Sequence, residues 1–171
     1  MNCDDTLILG IGNTLLTDEG AGIHALNLLQ SAYPDIESDI PNLTFLDGGT
    51  LSFTLASWIE DCTNLIVFDA AELNQPAGAV QTFVGAAMDD FLGASKRSAH
   101  EVGLLDLIDI ARITEHLPKN RALIGIQPET MGWGMHPGEA VQKALNHAVN
   151  DAVKIIKQWQ EISTDDEVHA A

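Results

Sequence analysis

Several acidic side chains and one imidazole stand next to apolar segments of the sequence, where a folded chain can bring them together. Asp18 and Glu19 follow the first apolar segment by one turn, Asp47 and Asp69 end two later segments, and His100 precedes a helical pattern. Carboxylates that converge repel one another, and their pKa values rise unless a cation or a hydrogen-bond donor joins them. The set therefore predicts a site for a metal ion or a positively charged substrate.

Each of these residues taken singly also has a purely structural interpretation. Asp18 can act as the N-cap of the helix that follows it, Asp69 can hydrogen-bond a nearby loop, and His100 can cap the helix after it. The functional interpretation rests on their occurrence together.

Short apolar segments alternate with helical patterns along the chain. The predicted strands are 6–10, 43–47, 64–70, 79–84 and 122–127, and the predicted helices are 19–32, 50–60, 101–117 and 138–160. This order indicates an α/β fold, a three-layer sandwich in which helices flank a central, mostly parallel five-stranded sheet. In such a sheet the ligand site lies beyond the carboxyl ends of the strands, which is where the candidate residues stand.

The chain is long enough for one domain with a substantial core. It has 171 residues, of which 46% are hydrophobic. In the last predicted helix, apolar residues recur at steps of three and four, so that one stripe can face the sheet: Val141, Leu145, Ala148, Ala152, Ile155 and Trp159. We predict a single domain over residues 1–162, followed by an acidic tail, 163–171, that has little to bury and is disordered.

Charge and cysteine usage exclude several classes of partner. The 8 Lys and Arg residues against 25 Asp and Glu residues give a net charge of −17, which repels nucleic acids and anionic membranes. Cys3 and Cys62 have no partner at metal-site spacing, and no signal peptide or membrane-spanning run is present in the sequence. The cytoplasm is the predicted location, with no nucleic acid or membrane as a partner.

The glycine-bearing turn after the first strand matches only part of a phosphate-binding loop. In "GIGNTLLTDEG", Leu15 takes the position of the third glycine of GxGxxG, and the acidic pair that follows repels an anion. Gly10 and Gly12 are then expected to bring the backbone close to something bulky. A cation suits this turn better than a phosphate, although a nucleotide-binding α/β module remains an alternative.

Five motifs together resemble one enzyme family. "LGIGNTLLTDEGAG", "LDGGT", "VFDA", "SAHEVGL" and "IGIQPE", in this order between residues 6 and about 150, are similar to the hydrogenase maturation endopeptidases. The resemblance implies a single α/β domain and an enzyme that removes a C-terminal peptide from the precursor of the nickel-iron hydrogenase large subunit after nickel insertion. It also implies three metal-contacting side chains, which fall on Glu19, Asp69 and His100.

Two carboxylates and one imidazole form an open ligand set that nickel, zinc or cobalt can accept. No Ser or Cys is paired with a base, which favours direct attack by water, with Asp47 as the carboxylate that accepts the proton and Glu19 and Asp69 as further catalytic groups. The nickel is expected to arrive with the precursor, and no organic cofactor is expected. A nickel-binding maturation chaperone without catalysis is a second alternative.

Four residues are predicted to contact the substrate. Gly48 and Gly49 belong to "LDGGT", and Trp133 and His136 lie in "MGWGMHPG", a segment that can close over a bound peptide. The alternative for this segment is that Trp133 packs onto the domain. Residues 88–100 are predicted to form a second substrate loop, and His24 is assigned to the surface.

Overall fold

A computed structural model describes residues 5–40, 42–94 and 103–169, with side chains as far as residue 161. Its five strands form one sheet: β1 (Thr6–Gly10), β2 (Leu43–Asp47), β3 (Asn64–Ala70), β4 (Val80–Val84) and β5 (Asn120–Ile126). The strand order is β2-β1-β3-β5-β4, and every pair is parallel except β4 with β5. The predicted five-stranded, mostly parallel sheet is confirmed.

Six helices surround the sheet within the described ranges. They are α1 (Ala21–Ala32), α2 (Ile36–Asp39), α3 (Ala56–Asp61), α4 (Ala86–Ala94), α5 (Leu104–Ile113) and α6 (Glu139–His169). Short 3-10 turns, Thr17–Gly20 and Phe53–Leu55, precede α1 and α3. None of the helices in these ranges combines the length and the apolar composition needed to cross a membrane.

The central strands separate two hydrophobic cores, because successive side chains of a strand point to opposite faces. One core lies against α1 and α6 and includes Ile8, Ile66, Phe68, Ile124 and the stripe of α6. The other lies against α3, α4 and α5 and includes Leu7, Leu9, Leu65, Val67 and Leu123. Helices on both faces of the sheet give the predicted three-layer sandwich.

The structure differs from the sequence-based assignment in three segments. Residues 88–94, predicted as part of a loop, belong to α4, which buries Met88 and Leu92 at helical spacing; the rest of that predicted loop lies outside the described residues. The four-residue α2 is too short to show a periodic pattern. Finally, α6 continues to His169 where a disordered tail is predicted from residue 163, in a stretch without glycine or proline to end a helix.

Helix α1 approaches the sheet so closely that one position must be glycine. A Cβ atom on Gly22 would lie 2.3 Å from the carbonyl oxygens of both Ile11 and Phe68. The turn before the helix is equally tight, since Gly12 has a φ of +136° and a Cβ there would lie 1.9 Å from the carbonyl oxygen of Glu19. The bulky group that Gly12 was expected to approach is therefore the protein's own backbone at Glu19.

We expect Gly22→Ala to destabilise the fold by about 3 kcal/mol or more, at the upper end of overpacking costs, because two backbone carbonyls would have to move. Gly93→Ala in α4 is the matched control: nothing lies within 4 Å of its Cβ position, so removing a helical glycine should stabilise the protein by up to about 1 kcal/mol. Urea unfolding of both variants measures the two effects. A Gly22→Ala protein as stable as the wild type would contradict the close contact.

Candidate active site

The three predicted carboxylates lie at one edge of the sheet. Strand β1 stands between β2 and β3, so the chain order reverses there, and open α/β sheets bind ligands outside the carboxyl ends of the strands at such a point. Asp47 is the last residue of β2, Asp69 is the last but one of β3, and Glu19 lies in the turn after β1. Three adjacent strands thus supply one carboxylate each.

The strand register sets the spacing between two of these positions. Gly10 of β1 pairs with Asp47 on one side and with Phe68, the residue before Asp69, on the other. Because neighbouring strands lie about 4.8 Å apart, the backbones of Asp47 and Phe68 are separated by about 10 Å across β1. The register therefore places Asp47 and Asp69 on the two sides of β1, at the same edge of the sheet.

Glu19 is half-buried and has one carboxylate oxygen engaged. Its Oε2 accepts a hydrogen bond from the backbone N–H of Asn13 at 2.6 Å. Its Oε1 receives no hydrogen bond from the described residues. This oxygen can accept a ligand without breaking a contact of the protein.

Asp69 holds its proton more strongly than an ordinary aspartic acid. The pKa of its carboxyl is raised to about 7: burial is the main cause, the backbone amide of Ala70 opposes the rise, and the negative charge of Glu19 adds to it. Two carboxylates that act on each other in this way favour either a shared proton or a shared cation.

The described part of the chain offers this pair no cation of its own. No Lys or Arg in those ranges forms an ion pair with Glu19 or Asp69. Nor do those ranges contain a group of three His, Cys, Asp or Glu side chains that could hold a metal ion. His100, the third predicted ligand, lies outside the described residues, so the structure supplies two carboxylates of the predicted set, and their chemistry fits a divalent metal.

The thiol of Cys62 does not offer a nucleophile. Burial raises its pKa to about 12, so it stays protonated at neutral pH, and its Sγ donates to the carbonyl oxygen of Ile59 at 3.3 Å. The other cysteine, Cys3, lies outside the described residues. Among the described residues this leaves the carboxylates as the groups with chemistry to offer at this edge.

Asp47 and the two glycines after it form a tight turn against β1. The Oδ1 atom of Asp47 accepts a hydrogen bond from the N–H of Gly49 at 2.9 Å, and its other carboxylate oxygen receives none from the described residues. The N–H of Gly48 donates to the carbonyl oxygen of Gly10 at 2.9 Å. A Cβ on Gly49 would meet nothing within 4 Å, so the surface beside it is open to a substrate.

The turn after β1 uses its own amide groups, which speaks against the nucleotide-binding alternative. The N–H of Ile11 donates to Phe68, that of Gly12 to Gly49, and that of Leu16 to Asn13. A phosphate-binding loop needs such N–H groups free to face the phosphate. Leu15, in the position of the third glycine, is 50% exposed, and Gly22 provides the close contact between helix and strand instead.

Sequence reasoning missed the structural role of Asp18. It is fully buried, and its carboxylate accepts hydrogen bonds from the backbone N–H groups of Glu129 (2.8 Å), Thr130 (2.9 Å) and Gly138 (2.6 Å). The N-cap interpretation is wrong, because Asp18 lies inside the 3-10 turn and the cap position is Leu16. Its partners are more than 100 residues away in sequence, so no local pattern could have revealed them.

Trp133 and His136 lie in the loop that Asp18 holds. The side chain of Trp133 is 86% exposed, so the alternative that it packs onto the domain is wrong. His136 is also exposed and lies near His24 of α1: burial lowers the pKa of His24, and the charge of His136 lowers it further. The assignment of His24 to the surface is wrong as well, because its Nε2 atom is buried and has no hydrogen-bond partner among the described residues.

The raised pKa of Asp69 predicts a pH-dependent cost in stability. The folded protein holds this proton up to a pKa of about 7 and the unfolded chain only up to its ordinary value of 3.8, so stability should fall as the pH rises between these values. Asp69→Asn carries no charge and should remove this decline. We therefore expect the variant, compared with the wild type without added metal, to gain a few degrees in melting temperature between pH 5 and pH 8.

Thermal unfolding of both proteins across this pH range measures that difference. Asp61→Asn, on the opposite side of the domain at the end of α3, controls for the general effect of removing one negative charge. A difference between Asp69→Asn and the wild type that does not change with pH would contradict the shift.

Comparison with known proteins identifies the family of this chain. The family model described as hydrogenase maturation protease matches residues 23–156. The hydrogenase expression/formation protein HupD of Rhizobium leguminosarum bv. viciae is 34% identical over 154 residues, which cover 90% of this chain and 74% of the relative. The hydrogenase 2 maturation protease of Escherichia coli is 32% identical over 127 residues, which cover 73% of this chain and 74% of the relative.

Solved structures share the fold. The hydrogenase maturating endopeptidase HybD from E. coli superposes with a TM-score of 0.77 at 24% identity, over 90% of this chain and 93% of that one. The [NiFe] hydrogenase maturation protease HybD from Thermococcus kodakarensis gives a TM-score of 0.68 at 28% identity, over 88% of this chain and 98% of that one. With a family model that spans most of its length and relatives above 30% identity, the chain belongs to the hydrogenase maturation proteases and is a peptide-bond hydrolase.

Proposed function

We propose that this protein removes a C-terminal peptide from the precursor of the nickel-iron hydrogenase large subunit, and that the nickel ion already held by the precursor is the recognition signal. The protein acts in the cytoplasm without an organic cofactor. Glu19, Asp69 and His100 contact the nickel of the bound precursor, and Asp47 accepts the proton of the attacking water.

One observation supports this proposal most directly: the half-buried carboxylates of Glu19 and Asp69 act on each other at the switch point, and no Lys or Arg of the described ranges pairs with either. Once Asp69 is ionised, the two negative charges repel each other, and a bound cation relieves this repulsion. A nickel ion carried by the correct precursor supplies that cation, whereas a nickel-free precursor brings no compensating charge.

The reaction is hydrolysis of one peptide bond. Water attacks the carbonyl carbon, a carboxylate takes the proton, and the C–N bond breaks as the amine of the released peptide is protonated. The nickel polarises the carbonyl or lowers the pKa of the water. Asp47 suits the proton-accepting role because it is exposed and keeps one carboxylate oxygen free while the turn at Gly49 holds the other.

The proposal predicts that cleavage depends on nickel in the precursor. With nickel-loaded precursor we expect a loss of mass of the large subunit that corresponds to one C-terminal peptide. With nickel-free precursor we expect little or no cleavage, because Glu19 and Asp69 then face each other without a cation. Mass spectrometry of both incubations measures the difference, and equal cleavage of the two precursors would exclude nickel as the signal.

Substitutions that remove charge should separate binding from chemistry. Glu19→Gln keeps size and removes a proposed nickel contact, so we expect it to weaken binding of the nickel-loaded precursor and to reduce cleavage by about 100-fold. Asp47→Asn removes the proton acceptor, so we expect kcat to fall while the precursor still binds with wild-type affinity. Binding and single-turnover cleavage are measured on the same preparations. Wild-type turnover by a folded Asp47→Asn protein would assign the proton transfer to another group.

A further inference from the structure

The segment between β5 and α6, residues 127–138, is fastened to the turn that carries Glu19. The buried carboxylate of Asp18 accepts hydrogen bonds from three of its N–H groups, at Glu129, Thr130 and Gly138. Two of these lie at the beginning of the segment and the third lies at its end. One side chain therefore closes the segment into a loop, and we refer to it as the Asp18-held loop.

A second set of hydrogen bonds joins the middle of the loop to the residues just before Asp18. The N–H of Thr17 donates to the carbonyl oxygen of Gly134 at 2.8 Å, and the N–H of Gly134 donates to that of Leu15 at 2.9 Å. The hydroxyl of Thr17 donates to the carbonyl oxygen of Thr130 at 2.8 Å. The loop backbone is thus fixed along its length, and its side chains do not depend on packing for their position.

The side chains that this loop displays are apolar and exposed. Four large hydrophobic residues of the loop and of the turn bonded to it are exposed, with exposed fractions of 50%, 51%, 86% and 66%: Leu15, Met131, Trp133 and Met135. We call these four residues the Trp133 surface. Large apolar side chains held in water by a fixed backbone mark a binding surface more often than a packing fault.

Building on the proposed function, we propose that the Trp133 surface binds an apolar segment of the hydrogenase precursor beside the bond to be cut, and that Asp18 is the positioning residue that holds this surface next to Glu19. Glu19 follows Asp18 directly in sequence, and Gly134 of the loop is hydrogen-bonded to Leu15 and Thr17 of the same turn, so the loop is attached to the turn that carries Glu19.

Charge and chemistry both favour an apolar segment of the substrate as the occupant. A net charge of −17 disfavours an acidic partner, and the exposed side chains of the Trp133 surface are all apolar. Methionine side chains adapt to varied apolar shapes, and a tryptophan contributes a large contact area. Because hydrogen bonds already hold the backbone of the loop, binding of the precursor need not order that backbone.

The test is a double-mutant cycle in the protein as it exists, with binding and cleavage of the nickel-loaded precursor measured separately. Trp133→Ala should raise KM and the dissociation constant about tenfold, as expected for a buried aromatic anchor of an interface, with kcat within about twofold. Trp58→Ala, an exposed tryptophan of α3 (48% exposed) outside the surface, is the matched control and should leave both constants unchanged. Unchanged binding by Trp133→Ala would overturn the proposal.

Asp18→Asn addresses the positioning role. The amide keeps one acceptor oxygen but turns an NH₂ group towards a backbone N–H, so at least one of the three hydrogen bonds is lost. We expect KM to rise with little change in kcat, and we expect no further rise when Asp18→Asn is added to Trp133→Ala. Effects that multiply in the double variant would show that Asp18 does not act through the loop.

Thr17→Val provides a milder change if Asp18→Asn fails to fold. It removes only the hydroxyl contact with Thr130, and its effect on KM should likewise vanish in the Trp133→Ala background. Hydrogen exchange of the amides of Glu129, Thr130 and Gly138 gives a readout that needs no substrate: in Asp18→Asn, protection should be lost at one or more of these three amides. Retained protection would contradict the anchoring role.

These measurements distinguish this inference from the proposed function. A wild-type protein that binds the precursor through Trp133 but does not cleave it would contradict the proposed function and support the binding surface. Cleavage by the wild type that does not depend on Trp133 would support the proposed function and contradict the binding surface. Concentration-dependent dimers abolished by Trp133→Ala, with binding of the precursor unchanged, would assign the surface to a second copy of the chain and overturn the proposal.

Discussion

The active-site edge depends on how closely helix α1 rests on the sheet. At Gly22 the helix backbone touches the carbonyl oxygens of Ile11 and Phe68, at a distance that leaves no space for a Cβ atom. This contact fixes the start of α1 against both β1 and β3. The few residues between the end of β1 and the start of α1 must then complete a tight turn, and Gly12 permits it by closing on the carbonyl of Glu19. The positions of Asp18 and Glu19 follow from these two contacts.

The tight turn before α1 also keeps the carboxylate of Glu19 near enough to that of Asp69 for the two to repel each other. Burial of Asp69 at the end of β3, with a smaller contribution from the negative charge of Glu19 in the turn after β1, raises the pKa of Asp69 to about 7. A metal ion binds the ionised carboxylate, so a proton and a divalent cation compete for this pair. If the cation comes with the substrate, as proposed, the repulsion between the two carboxylates lowers the stability of the free protein and is relieved when the substrate binds.

Regular alternation of apolar segments made the sheet predictable, because the central strands β1, β3 and β5 are largely buried and the longer helices show an apolar stripe. The carboxylates at the strand ends were predictable for the same reason, since parallel strands end at one edge. Helix α2 and the early part of α4 were not, because four residues show no period and α4 has only two buried positions. The loop held by Asp18 could not be predicted either, since its contacts join residues more than 100 positions apart.

Asp18 and Glu19 show why residue type alone does not assign a role. They are neighbours with the same charge, and in sequence they looked like one acidic pair. In the fold, Asp18 is buried, and its two carboxylate oxygens accept hydrogen bonds from three backbone N–H groups of the protein itself. Glu19 is half-buried, meets one donor through one oxygen and faces another carboxylate. Asp18 is therefore fully hydrogen-bonded within the protein, and its role is to hold the loop. Glu19 has one carboxylate oxygen without a hydrogen bond from the described residues, and a cation carried by the substrate can bind this oxygen.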